Sequence, residues 1–317
     1  MRSCGVFALT RARSAGMARI LMYHNFSGPD GNDSNALNNE GIRAQFEHLR
    51  RHFEVVPLQR IVEQITVGRA FEEKMVALTV DDGRRNCYRH LFPLLKEFEF
   101  PATLFVVSSF IRGEDWIWTD KVLWLSQQPD PPQELAPDQL NSSFQTLNLG
   151  RPKERNERIQ AMARKAGLVI PRTPPDQYAP CSWSELREMA DSGLVEIGSH
   201  SATHPIFSSI TDEESWDELI RSRAQIEEGM GRSVSCFCFP NGLAGDFRPS
   251  QVGQVRDAGY SYSVTAQFGL VKSGADRYQL PRIGMARKRR PEEIAKYLDG
   301  AAYYQQKLLG RFLNHAE

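Results

Sequence analysis

The chain is poor in several things that would have fixed its class at once. No apolar run approaches the ~20 residues that a membrane-spanning helix requires, which argues against a membrane span. Acidic and basic side chains balance at 39 each, so no chain-wide field exists to draw in nucleic acid or an anionic lipid surface. The one basic run, Arg287, Lys288, Arg289 and Arg290, reads as a solvated loop flanking a helix. Cysteine is scarce: five in 317 residues, odd in number and irregular in spacing, which implies no disulfide framework. Cys236 and Cys238 alternate with Phe237 and Phe239, as small residues do on one buried face of a strand. The N-terminal apolar stretch at 5–9 is too short for a signal-peptide core, so the expected compartment is the cytoplasm.

What is present is an ordinary globular composition, 41% hydrophobic and 25% charged, in a chain long enough for a sizeable core. Short apolar runs recur at 18–23, 75–80, 102–107, 194–198, 234–239, 260–265 and 278–283. Segments with apolar spacing of three to four lie between them, as at Ile42, Phe46, Leu49 and Phe53. Strands alternating with helices predict an α/β fold with a parallel sheet, closed or nearly closed into a barrel of about seven strands. Ser182 followed by Glu185 has the form of a capping box, opening a helix that stops at Gly193. Residues 127–180 break the rhythm, holding nine of the 18 prolines. They are expected to form an insertion on a barrel spanning 18–290 rather than a second core. The end, 291–317, predicts an amphipathic helical tail rich in Tyr and Leu, able to support a homodimer.

Two strand ends carry chemistry. The run ending at Val80 leads into Asp81-Asp82-Gly83, and in a parallel sheet the carboxyl ends of strands form the ligand-binding rim. Two adjacent carboxylates before a glycine can face different ways, one towards a metal and the other towards substrate. Alone, the triplet is also a good turn sequence. The strand ending at Gly198 leads into Ser199-His200-Ser201-Ala202-Thr203-His204. Two histidines and one carboxylate make a set that leaves metal positions open to water and substrate.

Together, Thr79-Val80-Asp81-Asp82-Gly83 and His200-Ser201-Ala202-Thr203-His204 resemble the first two motifs of the polysaccharide deacetylase family, carbohydrate esterases with a nodulation-protein-B-like domain. That resemblance implies a distorted (β/α) barrel, with Asp81 as general base and Asp82, His200 and His204 as ligands of one divalent metal. Zinc is the expected ion, with cobalt, nickel, manganese or iron fitting similar geometry. The family's third motif ends in Pro, an aromatic and Gly after an arginine. Here Pro240 and Gly242 are kept, Asn241 replaces the aromatic, and Cys238 stands at the arginine position. Arg282, at another strand end, is expected to take over the orientation of Asp81, and the Asn241 N–H is expected to serve the oxyanion beside Pro240. No histidine lies between His204 and His315 to act as general acid. His24 closes the first strand instead, similar to a permuted branch of the family, the biofilm poly-N-acetylglucosamine deacetylases. Trp118, with Trp116, is the expected platform for a sugar ring, and Asp120 a candidate partner for a sugar hydroxyl.

The reaction so implied is metal-dependent removal of N-acetyl groups from an amino sugar in a glycan or its precursor. A catalytically weakened carbohydrate-binding module on the same barrel is the alternative. An iron oxygenase is disfavoured by the strand–helix alternation, because that ligand set usually sits in an all-β fold.

Overall fold

The computed structural model describes residues 14, 16–28, 36–71, 74–285 and 291–309; the basic run at 287–290 and the N-terminal stretch at 5–9 lie outside them. The strands are β1 Arg19–Tyr23, β2 Phe26–Ser27, β3 Leu37–Asn38, β4 Glu54–Val55 and β5 Met75–Val80. The second half adds β6 Ala102–Val106, β7 Val195–Ser199, β8 Cys236–Cys238, β9 Tyr262–Phe268 and β10 Leu280–Gly284. Seven of them run in the order β1-β10-β9-β8-β7-β6-β5, and β5 pairs with β1 to close the ring. Every pairing in the ring is parallel. These seven correspond to the seven apolar runs, so the expected (β/α) barrel is the fold. β4 leans on the start of β5, and β2 pairs with β3 outside the ring.

Successive side chains of a strand face opposite ways, and the core divides accordingly. Ile20, Ala77, Phe105, Cys236, Cys238 and Val264 belong to one cluster, inside the barrel. Their neighbours Leu21, Leu78, Leu104, Phe237 and Ile283 belong to the layer between barrel and helices. The four described cysteines are buried and unbridged. Gly198 marks how full the interior is: a Cβ there would lie 2.6 Å from both Cys236 Sγ and Phe105 Cδ1. Among the described residues, no helix is long and apolar enough to cross a membrane.

The excursion between β6 and β7 starts earlier than the prolines suggest. Helix Trp118–Ser126 already belongs to it, followed by Leu140–Asn148 and Pro152–Lys165. Trp118, Val122, Leu125, Leu147, Ile159 and Met162 form a small cluster shared by these helices. The returning chain is stitched to the catalytic rim: Arg84 and Pro180 form a β-bridge, and Cys181 N–H donates to Gly83 O at 2.9 Å. Helix Trp183–Asp191 opens with the expected Ser182–Glu185 capping box and ends before Gly193, at φ 75°.

The tail differs from the single amphipathic helix expected. Helices Pro291–Leu298 and Ala301–Leu309 are separated at Gly300, whose φ of 81° breaks the run. Ile294 and Leu298 are buried in the barrel's own outer core, and Arg19 Nε donates to Leu298 O at 2.9 Å. In the first of these helices the buried apolar residues cover the chain's own barrel, and the end of the expected tail, 310–317, lies outside the described residues.

Replacing Gly198 with Ala is expected to cost about 1–3 kcal/mol through overpacking. Urea denaturation would measure it, and a midpoint unchanged from wild type would contradict the tight interior described here.

Candidate active site

Barrel parity decides which side chains meet at the rim. Thr79 and Gly198 face inward, so Asp81 and His200, two residues further on, emerge over the barrel mouth, and His24 does the same after Ile20 and Met22. The turn at Asp82, with φ 77° and Gly83 at φ 80°, sends the second carboxylate the other way. No side chain fits at position 83, where a Cβ would meet Val106 Cγ1 at 2.9 Å.

Asp82 Oδ1 lies 3.7 Å from His200 Nε2 and 3.6 Å from His204 Nε2. Bonds of about 2.1 Å to a tetrahedral ion place neighbouring ligand atoms about 3.4 Å apart, so the three donors fit one divalent cation with a position left open. Their protonation suits it as well. Burial, with His200 alongside, pulls His204 down to about 3, leaving the neutral imidazole that a metal needs. His200 Nδ1 sits 2.8 Å from the Cys238 carbonyl, which places the ring proton there and the lone pair on Nε2. Burial alone would raise the Asp82 pKa, but the charge of Arg84 overcomes it and keeps the carboxylate ionised.

Asp81 faces a different partner. Arg282 Nη1 and Nη2 donate to its two oxygens, each at 2.7 Å, and Nη2 also touches Cys238 Sγ at 3.1 Å. Arg282 is 1% exposed and points into the barrel rather than to solvent. Burial would raise the Asp81 pKa, yet this pairing holds it well below the usual carboxylate range. Burial pushes the Cys238 thiol up, which disfavours its thiolate in the metal-free site. His24 Nε2 is 3.5 Å from Asp81 Oδ2, with a side chain 41% exposed at the mouth. Its crowded surroundings lower its pKa, although the two aspartates pull the other way.

Matching against family models decides the assignment: the model described as polysaccharide deacetylase covers residues 68–263. The chain belongs to the polysaccharide deacetylase family. Members of this family are hydrolases acting on carbon–nitrogen bonds. Over 167 residues, 52% of this chain, it is 34% identical to the poly-beta-1,6-N-acetyl-D-glucosamine N-deacetylase of Escherichia coli K12. That match spans only 18% of the E. coli protein. Among solved structures, a Streptococcus pyogenes deacetylase in complex with acetate superimposes with TM-score 0.61 at 14% identity, covering 89% of this chain and 98% of that one. IcaB from Ammonifex degensii gives 0.59 at 20%, covering 89% and 97%. Both likenesses concern the fold.

Within this deacetylase-family site, several expectations change. Trp118 is no open platform: it is 4% exposed and packs in the excursion's core against Phe144. Trp116 is buried too, its indole N–H donating to Arg172 O. Asp120 is taken by Arg84, whose Nε and Nη2 donate to it at 3.0 and 2.7 Å. Arg84 Nη1 reaches Asp82 Oδ2 at 2.5 Å, so one guanidinium bridges the candidate metal ligand to the excursion. Asn241, at φ 59°, is locked by its side-chain bond to Asp246, and Gly242 N–H closes on Pro240 O at 2.6 Å.

Sequence reading missed two residues. Arg84 follows the Asp-Asp-Gly triplet but carried no motif signal. Glu218, on helix Asp212–Met230, accepts from the N–H groups of Ala202 and Thr203, both at 2.8 Å, and from Thr203 Oγ1 at 2.7 Å. It holds the loop on which His200 and His204 ride, helped by Ser201 Oγ, which accepts from His204 N–H at 3.0 Å. Of five described non-glycine residues with positive φ, three (Asp82, Ser201 and His204) lie on the two loops of this site and a fourth, Asn241, on the turn after β8. Such strain costs roughly 1–3 kcal/mol per residue and persists only where the surroundings impose it.

The variant Arg84→Met, paired with Asp120→Asn so that the excursion's carboxylate is not left bare, is expected to weaken zinc binding about 10–100-fold. Calorimetric titration measures this, and wild-type affinity in the double variant would remove Arg84 from the site's support. In metal-free protein, His204 takes up a proton on unfolding that the folded state refuses. Stability is therefore expected to be full above about pH 6.5 and to decline towards about pH 3. A melting temperature that stays flat across that window would contradict the buried neutral imidazole.

Proposed function

We propose that this chain removes N-acetyl groups from amino-sugar units of a glycan, with Asp81 as general base and His24 as general acid. The observation that carries the reading is the juxtaposition at the barrel mouth. An ionised Asp81, clamped by Arg282, stands 3.5 Å from His24 and one residue from the Asp82–His200–His204 set. The four residues whose loss would have left a mere binding module are together in one place.

Asp82, His200 and His204 would hold a divalent cation, zinc by ligand chemistry. Bound there, the cation would supply Lewis-acid polarisation of the acetyl carbonyl and a more acidic water, offsetting the weak basicity of so stabilised a carboxylate. Asp81 takes the proton from the attacking water. Arg282 positions it, keeping the carboxylate ionised and aimed. The Asn241 N–H, on the strained turn after Pro240, is the donor to the developing oxyanion. His24, at the solvent edge, passes a proton to the departing amine nitrogen. The printed activity of the E. coli relative, on poly-beta-1,6-N-acetyl-D-glucosamine, makes N-acetylglucosamine polymers the first substrates to try.

The test is acetate release from N-acetylglucosamine oligomers by the zinc-loaded chain. Asp81→Asn and His24→Ala are each expected to lower kcat about 10²–10⁴-fold while still binding one zinc. His204→Ala is expected to lose the zinc itself. Full activity in Asp81→Asn would overturn the assignment of the base, and activity without any divalent ion would overturn the reaction class.

A further inference from the structure

Two cysteines 94 positions apart in the chain meet behind the Asp-Asp-Gly loop. Cys87 opens the π-helical turn Cys87–Leu91 that follows this loop. Cys181 ends the return from the excursion, just before the Ser182 cap. Their sulfurs lie 3.8 Å apart, as two thiols. A disulfide needs about 2.05 Å, and a cavity of about 10 Å³ beside Cys87, bordered by Val80, Leu91 and Leu104, leaves slack for that adjustment. Both cysteines are buried, but Asn86 and Tyr88 on either side of one, and Pro180 and Ser182 on either side of the other, are part-exposed. The pair therefore lies one layer beneath the surface.

The two segments that carry the pair are held to each other by backbone bonds. Cys181 N–H donates to Gly83 O at 2.9 Å and Arg85 N–H to Ala179 O at 2.8 Å. Cys87 N–H and the Cys181 thiol both turn to Arg84 O, at 3.1 and 3.4 Å. Residues 83–85 are thus seamed to the returning chain, and Arg84 among them grips Asp82 on one side and Asp120 on the other. Noncovalent contacts alone close this seam in the dithiol form. Cys236 and Cys238, two apart on β8, join nothing that the strand does not already join.

We propose that Cys87 and Cys181 are a redox-controlled cross-link, forming a disulfide that ties the Asp-Asp-Gly loop to the excursion. The oxidant is a low-molecular-weight disulfide such as oxidised glutathione. One cysteine, reached when the seam opens locally, attacks it as the thiolate, releasing one glutathione and leaving a mixed disulfide. The second cysteine displaces the other glutathione. One S–S bond is broken and one made, and two thiol protons and two electrons pass from the protein to two glutathione molecules. Local opening is needed because contact with Cys87 and burial push the Cys181 thiol up, which disfavours its thiolate while the seam is closed. Once made, the bridge closes a long loop, the kind of cross-link that most restricts an unfolded chain. The inference needs no turnover and stands apart from the deacetylase reading.

The experiment incubates the full chain in glutathione buffers stepped from reducing to oxidising, blocks free thiols, and maps peptides without reduction. In oxidising buffer a peptide pair joining Cys87 to Cys181 is expected, two hydrogens lighter than its parts, and excess dithiothreitol should part it again. Oxidation is expected to raise the melting temperature by about 5–10 °C. It should also slow hydrogen exchange at the Arg85 and Cys181 amides about tenfold, with the amides of β9 unchanged. Cys87→Ala is expected to remove all three effects, and Cys181→Ala serves if that variant does not fold. Burial slows the entry of oxidant, so a second sample is unfolded and refolded in the oxidising buffer. Absence of the bridge from both samples overturns the site. A bridge that leaves the melting temperature and both amides as they were overturns the tether.

Discussion

One buried ion pair organises the barrel mouth. The guanidinium of Arg282, rooted in β10, donates to Thr265 O on β9, to Thr79 Oγ1 on β5, and to both oxygens of Asp81. It also meets Cys238 of β8, so four strands converge on one side chain. Leaving either member of such a pair alone in the interior typically costs about 3–5 kcal/mol. Its geometry therefore dictates that of its neighbours. With Asp81 committed to Arg282, the left-handed turn at Asp82 is the way to give the next carboxylate a separate outlook, and the two histidines meet it there.

The seven strands were legible because a closed parallel barrel leaves its mark as apolar runs, and the rim chemistry was legible because strand ends are where such barrels work. Asp81, Asp82, His200 and His204 could be picked out for that reason. Arg282 was a guess from the gap at Cys238, and the structure brings it to Asp81. Elsewhere, sequence spoke less clearly. An aromatic near a rim looks the same whether it greets a sugar or fills a core, and Trp118 fills a core. Asp120 looked free because its partner, Arg84, lies far away in the chain and belongs to no recognisable pattern. Glu218 sits on a long helix with many acids, and only the fold shows that its carboxylate holds the histidine loop. The Gly300 break in the tail is a single residue in an otherwise continuous amphipathic pattern.

Support for the site comes from backbone as much as from side chains. Glu218, Ser201 and Asp246 each satisfy loop N–H or amide groups beside a residue with positive φ. Those contacts offset the local strain and remove freedom that a bound ion would otherwise have to quench. The candidate donor set is thus held in place by the polypeptide itself.

The bridge from Asp82 through Arg84 to Asp120, together with the stitch between Pro180 and Arg84, has an evolutionary consequence. A surface excursion is normally the most freely exchanged part of a barrel, since its sequence answers to nothing beneath it. Here it answers to Asp82, a carboxylate of the candidate metal set. Lineages that reshape this edge of the groove must alter positions 84 and 120 in the same step, so the two are expected to drift as a unit and the excursion to be inherited with its barrel rather than shuffled between barrels.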